Sequence, residues 1–259
     1  MIAVTGGGPT FLGIGAQKAG TTWLHRMLCL HPDIGMPEQK ELHFWDRDEP
    51  VAAAIGTYRH IFDDLHGKAR GEITPSYAIL PPDRIALMKR HFPDLRLIYI
   101  LRNPIERAWS QARMELAKHI NKHGQPPEDM ETWLRQQLSS PESVMRGDYA
   151  VCLENWYTHY GRGQIKIFIY EEAFAEPQRF LQECCKYLEV DPNYYSNVLD
   201  ETLTDPILPE KMILKIERVV LQDKLKVNQL DMLQALYAPR IKALSRLLNR
   251  DLTDNWLCE

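Results

Sequence analysis

Two short segments of this 259-residue chain hold the residue types that grip phosphate-like anions. The first is Gly15-Ala16-Gln17-Lys18-Ala19-Gly20-Thr21-Thr22. Glycine at both ends lets successive backbone N–H groups turn inward around an anion, and a helix starting at Thr21 adds its dipole. The Gly15–Gly20 spacing is that of the phosphate loop GxxxxGK[ST], yet Thr21 stands where that pattern has lysine and the lysine lies inside the loop, at Lys18. Its ammonium then belongs near the bridging region of a bound anion, with the Thr21 and Thr22 hydroxyls as further donors. The second segment carries Arg102 at the end of an apolar run and Ser110 eight residues later. That separation is about two helical turns, so the guanidinium and the hydroxyl can face one side and hold a terminal phosphate. Each segment has a plainer reading: a solvated lysine on a glycine turn, and a helix-capping arginine near an incidental serine. Together they suit a nucleotide phosphorylated at both its 5′ and 3′ positions.

The elements that must position these residues follow from the apolar pattern. Thr10 to Ile14 reads as a short strand, and Trp23, Leu24, Met27, Leu28 and Leu30 give Thr21 to Leu30 a helical spacing. Leu95 to Leu101 is the clearest strand, and ligands in open α/β sheets bind beyond the carboxyl ends of such strands. A helix begins directly after it, with Asn103 as N-cap, Pro104 at the first helical position and Glu106 two residues on. Gln164 to Tyr170 is a third strand, and Pro177–Leu188 and Leu230–Leu248 are helices. Lys122 to Pro127 reads as a polar loop, and Pro32 to Asp48 as an irregular segment rich in His, Trp, Phe and charge. Alternating strands and helices predict an α/β, P-loop-like fold with a mainly parallel central sheet flanked by helices. Residues 1–259 are taken as a single domain, with 1–9 a flexible leader.

The bulk properties narrow the partners. A formal net charge of −4 argues against a general binder of nucleic acid or anionic membrane. No apolar run approaches the roughly 18 residues of a membrane span, and the first ten residues lack the charge and apolar core of a signal peptide. Five cysteines, odd in number and without a CxxC pair, suggest neither a disulfide scaffold nor a zinc site. These features predict a cytoplasmic protein. No aspartate closes an apolar strand as a magnesium-binding acid, which predicts an anionic ligand handled without metal.

The motifs also carry a resemblance. FLGIGAQKAGTTWL resembles the 5′-phosphosulfate loop, and LIYILRNPIERAWSQ the 3′-phosphate motif, of the sulfotransferases that use 3′-phosphoadenosine 5′-phosphosulfate (PAPS). Residues Gln39 to Asp46 (QKELHFWD) resemble the KExHFF-D segment of heparan-sulfate-type members, and Gly71 to Tyr77 (GEITPSY) their GEKTPxY segment. The stretch from Asp148 to Leu188 and the ending LYAPRIKALSRLLNRDL are similar to bacterial members. The resemblance implies sulfuryl transfer from PAPS to a hydroxyl or amine of a carbohydrate or small-molecule acceptor, releasing 3′-phosphoadenosine 5′-phosphate (PAP). It assigns Gln17, Lys18, Ala19, Gly20, Thr21, Thr22 and Trp23 to the 5′ end of the donor and Arg102 and Ser110 to its 3′-phosphate. It makes Lys18 the catalytic cation and Glu41 the general base, with His43 the alternative base.

One position departs from the pattern. Ile73 stands where several heparan-type enzymes have lysine, which weakens any transfer of polysaccharide specificity. No counterpart of the late donor-closing loop is evident, Lys211 being a candidate. Trp45, Trp109, Tyr149 and Trp156 are either acceptor-lining or core aromatics, with Trp45 and Tyr149 the stronger candidates for a pocket. His119 and His123 read as surface imidazoles. Two competing classes remain. A P-loop kinase or NTPase would need a lysine after Gly20 and a magnesium acid, and a non-catalytic nucleotide-binding module would lack Lys18 or Glu41.

Overall fold

A computed structural model describes residues 7–48, 50–197 and 225–257, which form two compact units. The first, spanning Met1–Leu101 and Asn155–Pro206, holds a five-stranded sheet in the order β2-β3-β1-β4-β5. The strands are β1 (Phe11–Gly15), β2 (Ile34–Gly35), β3 (Ala69–Ile73), β4 (Arg96–Leu101) and β5 (Ile165–Ile169). Every pairing is parallel, with Phe11 opposite both Gly71 and Arg96 and Leu97 opposite Ile165. The expected parallel sheet is therefore present, each of the three predicted strands lying within a residue of its expected bounds.

β1 runs down the middle and is buried along its whole length, as is β4 from Leu97 onward. Both faces of such strands lie under helices, which is why they read as continuous apolar runs rather than alternating ones. Each fully buried Ile or Leu contributes roughly 1.5–3 kcal/mol. β3 escaped the sequence pattern because its centre reads Arg70-Gly71-Glu72, with Glu72 buried despite its charge. The helices of this unit are α1 (Thr21–Leu30), α2 (Val51–His60), α3 (Pro82–His91), and, after β5, α8 (Tyr170–Ala175) and α9 (Pro177–Leu188).

The second unit comprises Arg102–Glu154 and Ile207–Glu259 and is helical where it is described. It contains α4 (Pro104–His123), α5 (Met130–Leu138), α6 (Pro141–Gly147), the start of α7 (Tyr149–Tyr157), α10 (Val227–Leu248) and α11 (Thr253–Leu257). Asn103 caps α4 as expected, its side chain accepting from the Ile105 N–H at 3.0 Å. Arg107 is wholly buried and donates to the Ser143 carbonyl at 2.8 Å and hydroxyl at 2.9 Å, joining α4 to α6. The polar loop expected from Lys122 begins instead at Gly124. Lys122 and His123 complete the last turn of α4, where cations suit the helix dipole, and Gly124 adopts φ 76° to end it.

Of the expected leader, residues 1–6 lie outside the described residues, while the Gly7 carbonyl accepts from Arg59 Nη1 at 2.9 Å. Lys211 also lies outside them. Among the described residues, no helix is long and apolar enough to cross a membrane.

Candidate active site

The candidate anion-binding loop follows the carboxyl end of the central strand. Its geometry is set by three positive φ values, 154° at Gly15, 69° at Lys18 and 75° at Gly20. The Ala16 N–H is spent on the Ile100 carbonyl at 2.8 Å, and a turn closes from the Ala19 N–H to the Ala16 carbonyl at 3.2 Å. Gly20 caps α1 with no side-chain hydrogen bond, and the first turn of that helix holds no acidic residue. The first amides of this helix thus have no side-chain cap, and the dipole favours an anion there. No side chain fits at Gly20, because a Cβ there would lie 2.3 Å from Phe174 Cζ.

Around the loop, Thr21 and Trp23 are buried, and Gln17, Lys18 and Thr22 are half-buried. Trp23 packs edge-on to Phe174, with ring centroids 5.0 Å apart. Gln17 Oε1, Trp23 Nε1 and, one turn further along α1, His25 Nε2 are buried without a hydrogen-bond partner. Burial, followed by the charge of Lys40, holds the His25 imidazole below its usual pKa.

The segment from Lys40 to Asp46 supplies the titratable groups. Glu41 is paired with Lys40, and its Oε2 lies 3.5 Å from His43 Nε2. His43 Nδ1 lies 2.7 Å from Asp46 Oδ2, and that same oxygen accepts a hydrogen bond from the Ser76 hydroxyl. One imidazole thus stands between two carboxylates. Glu41 and His43 adopt φ 62° and 52°, a left-handed conformation that costs a residue with a Cβ about 1–2 kcal/mol. Among the described residues, five non-glycine residues have positive φ. Glu189 and Asn249 merely end helices α9 and α10, which leaves Lys18, Glu41 and His43.

Beneath this segment lies Glu72, from the GEITPSY stretch. Its carboxylate is 1% exposed and accepts four hydrogen bonds. Tyr58 and Tyr77 hydroxyls reach Oε1 at 3.0 and 2.8 Å, and Thr74 Oγ1 and the Leu42 N–H reach Oε2 at 2.6 and 3.3 Å. Burial pushes the Glu72 carboxyl above its usual pKa while the four donors pull it back. Removing a carboxylate from water is costly unless its lone pairs are met, and here they are. A glutamate followed within five residues by Thr74, Ser76 and Tyr77 was the available signal.

The other predicted anion site belongs to the second unit. Arg102 directly follows β4 and is half-buried, with Nη2 3.8 Å from Glu106 Oε2, and Ser110 is half-buried on α4. The Arg102 carbonyl accepts from the Tyr149 hydroxyl at 2.9 Å, and the Asn103 side-chain amide donates to the Trp256 carbonyl at 3.2 Å. Tyr149 is buried with its hydroxyl spent on backbone, and Trp45 is buried among Phe44, Tyr58 and Phe92. Both are core aromatics, as are Trp109 and Trp156.

Residues 9–232 match the family model described as the sulfotransferase domain. The chain belongs to that family. Among its curated relatives, this sulfotransferase domain is 29% identical over 201 residues to mouse heparan sulfate glucosamine 3-O-sulfotransferase 3A1, covering 73% of the chain and 49% of the relative. It is 31% identical over 208 residues to mouse heparan sulfate glucosamine 3-O-sulfotransferase 6, covering 73% and 56%. The chain thus spans about half the length of the curated relatives it matches. A crystal structure of a sulfotransferase from Alicyclobacillus acidocaldarius superposes with a TM-score of 0.70 at 25% identity, covering 96% of this chain and 98% of that one. A mouse sulfotransferase solved with PAP shares the fold, with a TM-score of 0.57 at 16% identity and coverage of 93% and 88%.

Proposed function

We propose that this sulfotransferase domain moves the sulfuryl group of PAPS to a hydroxyl or amine acceptor, with Lys18 and Glu41 as its catalytic side chains. The observation that carries the reading is the left-handed backbone at Lys18, Glu41 and His43. Strain of this kind persists where the surroundings over-determine it, and it concentrates at working sites.

In the proposed reaction the acceptor oxygen or nitrogen forms a bond to sulfur as the bond from sulfur to the bridging oxygen of the 5′-phosphate breaks. The acceptor proton passes to the Glu41 carboxylate, and PAP leaves with the electron pair of the broken bond. Lys18 and the uncapped amides of α1 supply preorganised positive charge for the sulfonate and the departing phosphate. Gln17, Ala19, Gly20, Thr21, Thr22 and Trp23 complete the 5′ site. Arg102 and Ser110 are assigned the 3′-phosphate on the resemblance of their motif. His43, engaged on both sides by carboxylates, orients Glu41 and is the alternative base.

The acceptor is a carbohydrate or a small molecule. Relatives named for heparan sulfate favour a carbohydrate, whereas Ile73, in place of a lysine, removes one cation that an acidic polysaccharide would meet. A PAPS-dependent acceptor screen that reads released PAP tests the activity. Turnover confined to sugar hydroxyls supports the first class, and no PAP release above the acceptor-free rate with any acceptor refutes the reading.

A further inference from the structure

We infer that Glu72 and Tyr77 form a buried template that holds Glu41 and His43 in their working backbone conformation, which makes both of them positioning residues. The inference rests on the assignment of Glu41 as base and goes beyond it, because neither template residue faces an acceptor.

The template works through backbone amides. The Leu42 N–H ends on Glu72 Oε2, and the Phe44 N–H ends on the Tyr77 hydroxyl at 3.0 Å, with the Trp45 N–H 3.5 Å from the same oxygen. Tyr77 donates its own proton to Glu72, so its lone pairs are turned toward those two amides. The Leu42 and Phe44 amides are thus turned toward the buried Glu72 and Tyr77, while Glu41 and His43, alternating with them, carry positive φ values. Arg47 Nη2 closes the segment on the Leu42 carbonyl at 3.2 Å. Without an anchor on its amides, left-handed backbone at Glu41 and His43 would carry the steric cost of a Cβ uncompensated, since neither is glycine.

The chemistry of the anchor is specific to a carboxylate. Four donors converge on Glu72, and a carboxylate is acceptor-only at both oxygens. A glutamine of the same shape would turn an NH2 group either toward the Tyr58 and Tyr77 hydroxyls or toward the Leu42 N–H and Thr74. In the first case the two hydroxyls must accept instead of donate, and in the second the NH2 opposes the Leu42 N–H, which can only donate.

Tyr58 and Tyr77 provide an internal control. Both hydroxyls donate to the same Glu72 oxygen, and Tyr77, unlike Tyr58, also accepts backbone N–H groups of the segment. The experiment compares Tyr77→Phe, Tyr58→Phe, Glu72→Gln and Glu41→Gln, reading kcat, donor KM, the pH–rate profile and amide hydrogen exchange in the full chain. Tyr77→Phe is expected to lower kcat by about 10-fold or more with donor KM unchanged, and to alter the acid limb of the profile. Phe44 and Trp45 should lose amide protection in the same variant. Tyr58→Phe should keep that protection and stay within about 3-fold of wild-type kcat. Equal kcat losses in the two tyrosine variants, or unchanged exchange at Phe44 and Trp45 in Tyr77→Phe, overturn the template. If Glu72→Gln does not fold, the tyrosine pair still decides. Normal turnover in Glu41→Gln removes the base assignment, and the positioning role with it, even when exchange shows that the amides are held. A fall in Glu41→Gln with no change in Tyr77→Phe rejects the template alone.

Discussion

His43 Nδ1 lies 2.7 Å from Asp46 Oδ2, and this contact fixes which ring nitrogen remains to face Glu41. Asp46 is itself held by the Ser76 hydroxyl, so the orientation is passed inward to the turn that follows β3. Glu41→Gln is expected to leave PAP affinity nearly intact and to reduce turnover by about 10²–10⁴-fold, flattening the acid limb of the pH–rate profile. Asp46→Asn should give a smaller kcat loss without removing that limb. Steady-state kinetics across pH check both. Near-normal turnover in Glu41→Gln with none in His43→Ala moves the base to His43.

Lys18 is expected to serve binding and chemistry together. Lys18→Ala should weaken PAPS affinity and lower kcat, because the ammonium meets the donor in both ground and transition states. Pre-steady-state measurement of PAPS affinity separates the two effects. A variant that loses kcat with affinity unchanged would confine Lys18 to the transition state.

Arg102→Ala should weaken PAP binding by about 1.5–3 kcal/mol, the range of a charge-assisted hydrogen bond, while adenosine 5′-phosphosulfate, which lacks the 3′-phosphate, binds as before. Titration calorimetry with both ligands measures this. In the wild type, PAP should raise the melting temperature more than ADP does, with or without EDTA. Equal losses for the two ligands in Arg102→Ala would mark a general perturbation of the second unit.

His25 is expected to make stability fall toward acid. Burial keeps its folded pKa below the ordinary histidine value of 6.5, so between those two values the unfolded chain binds more protons than the folded one. Its contribution is therefore present above about pH 6.5 and lost as pH falls through the window below it. Urea midpoints at pH 7.5 and 5.5 should fall toward acid in the wild type and fall less in His25→Gln. Equal slopes in the two proteins would assign the acid loss to other groups.

The anion loop and its scaffold were legible because glycine spacing and apolar runs are local signals. The Gly15–Thr22 motif, α1 and β4 needed only neighbouring residues for recognition, and α9 was bounded by Pro177 and the end of its apolar stripe. β3 was not legible, because a strand with arginine and glutamate at its centre looks exposed unless the partners of Glu72 are known. Those partners come from α2, from the segment after Lys40 and from the turn after β3, which no periodicity links. The same limit hid Asp46 and Ser76. Trp45 and Tyr149 looked like pocket residues for the converse reason, since neighbouring irregular sequence does not report burial.

The place of β1 in the sheet bears on how the protein is made. Among the described strands it comes first along the chain, yet residue 11 finds its partners only at residues 71 and 96. Pairings this distant along the chain close slowly, and an unpaired apolar strand stays exposed while it waits. The Ala16 N–H in the Gly15–Gly20 loop ends on the Ile100 carbonyl, so the proposed donor site is not expected to assemble until the chain has been synthesised beyond β4. Nascent chains stalled before that residue should be protease-sensitive and indifferent to PAP. Chains released only after it can gain protection from the ligand during synthesis.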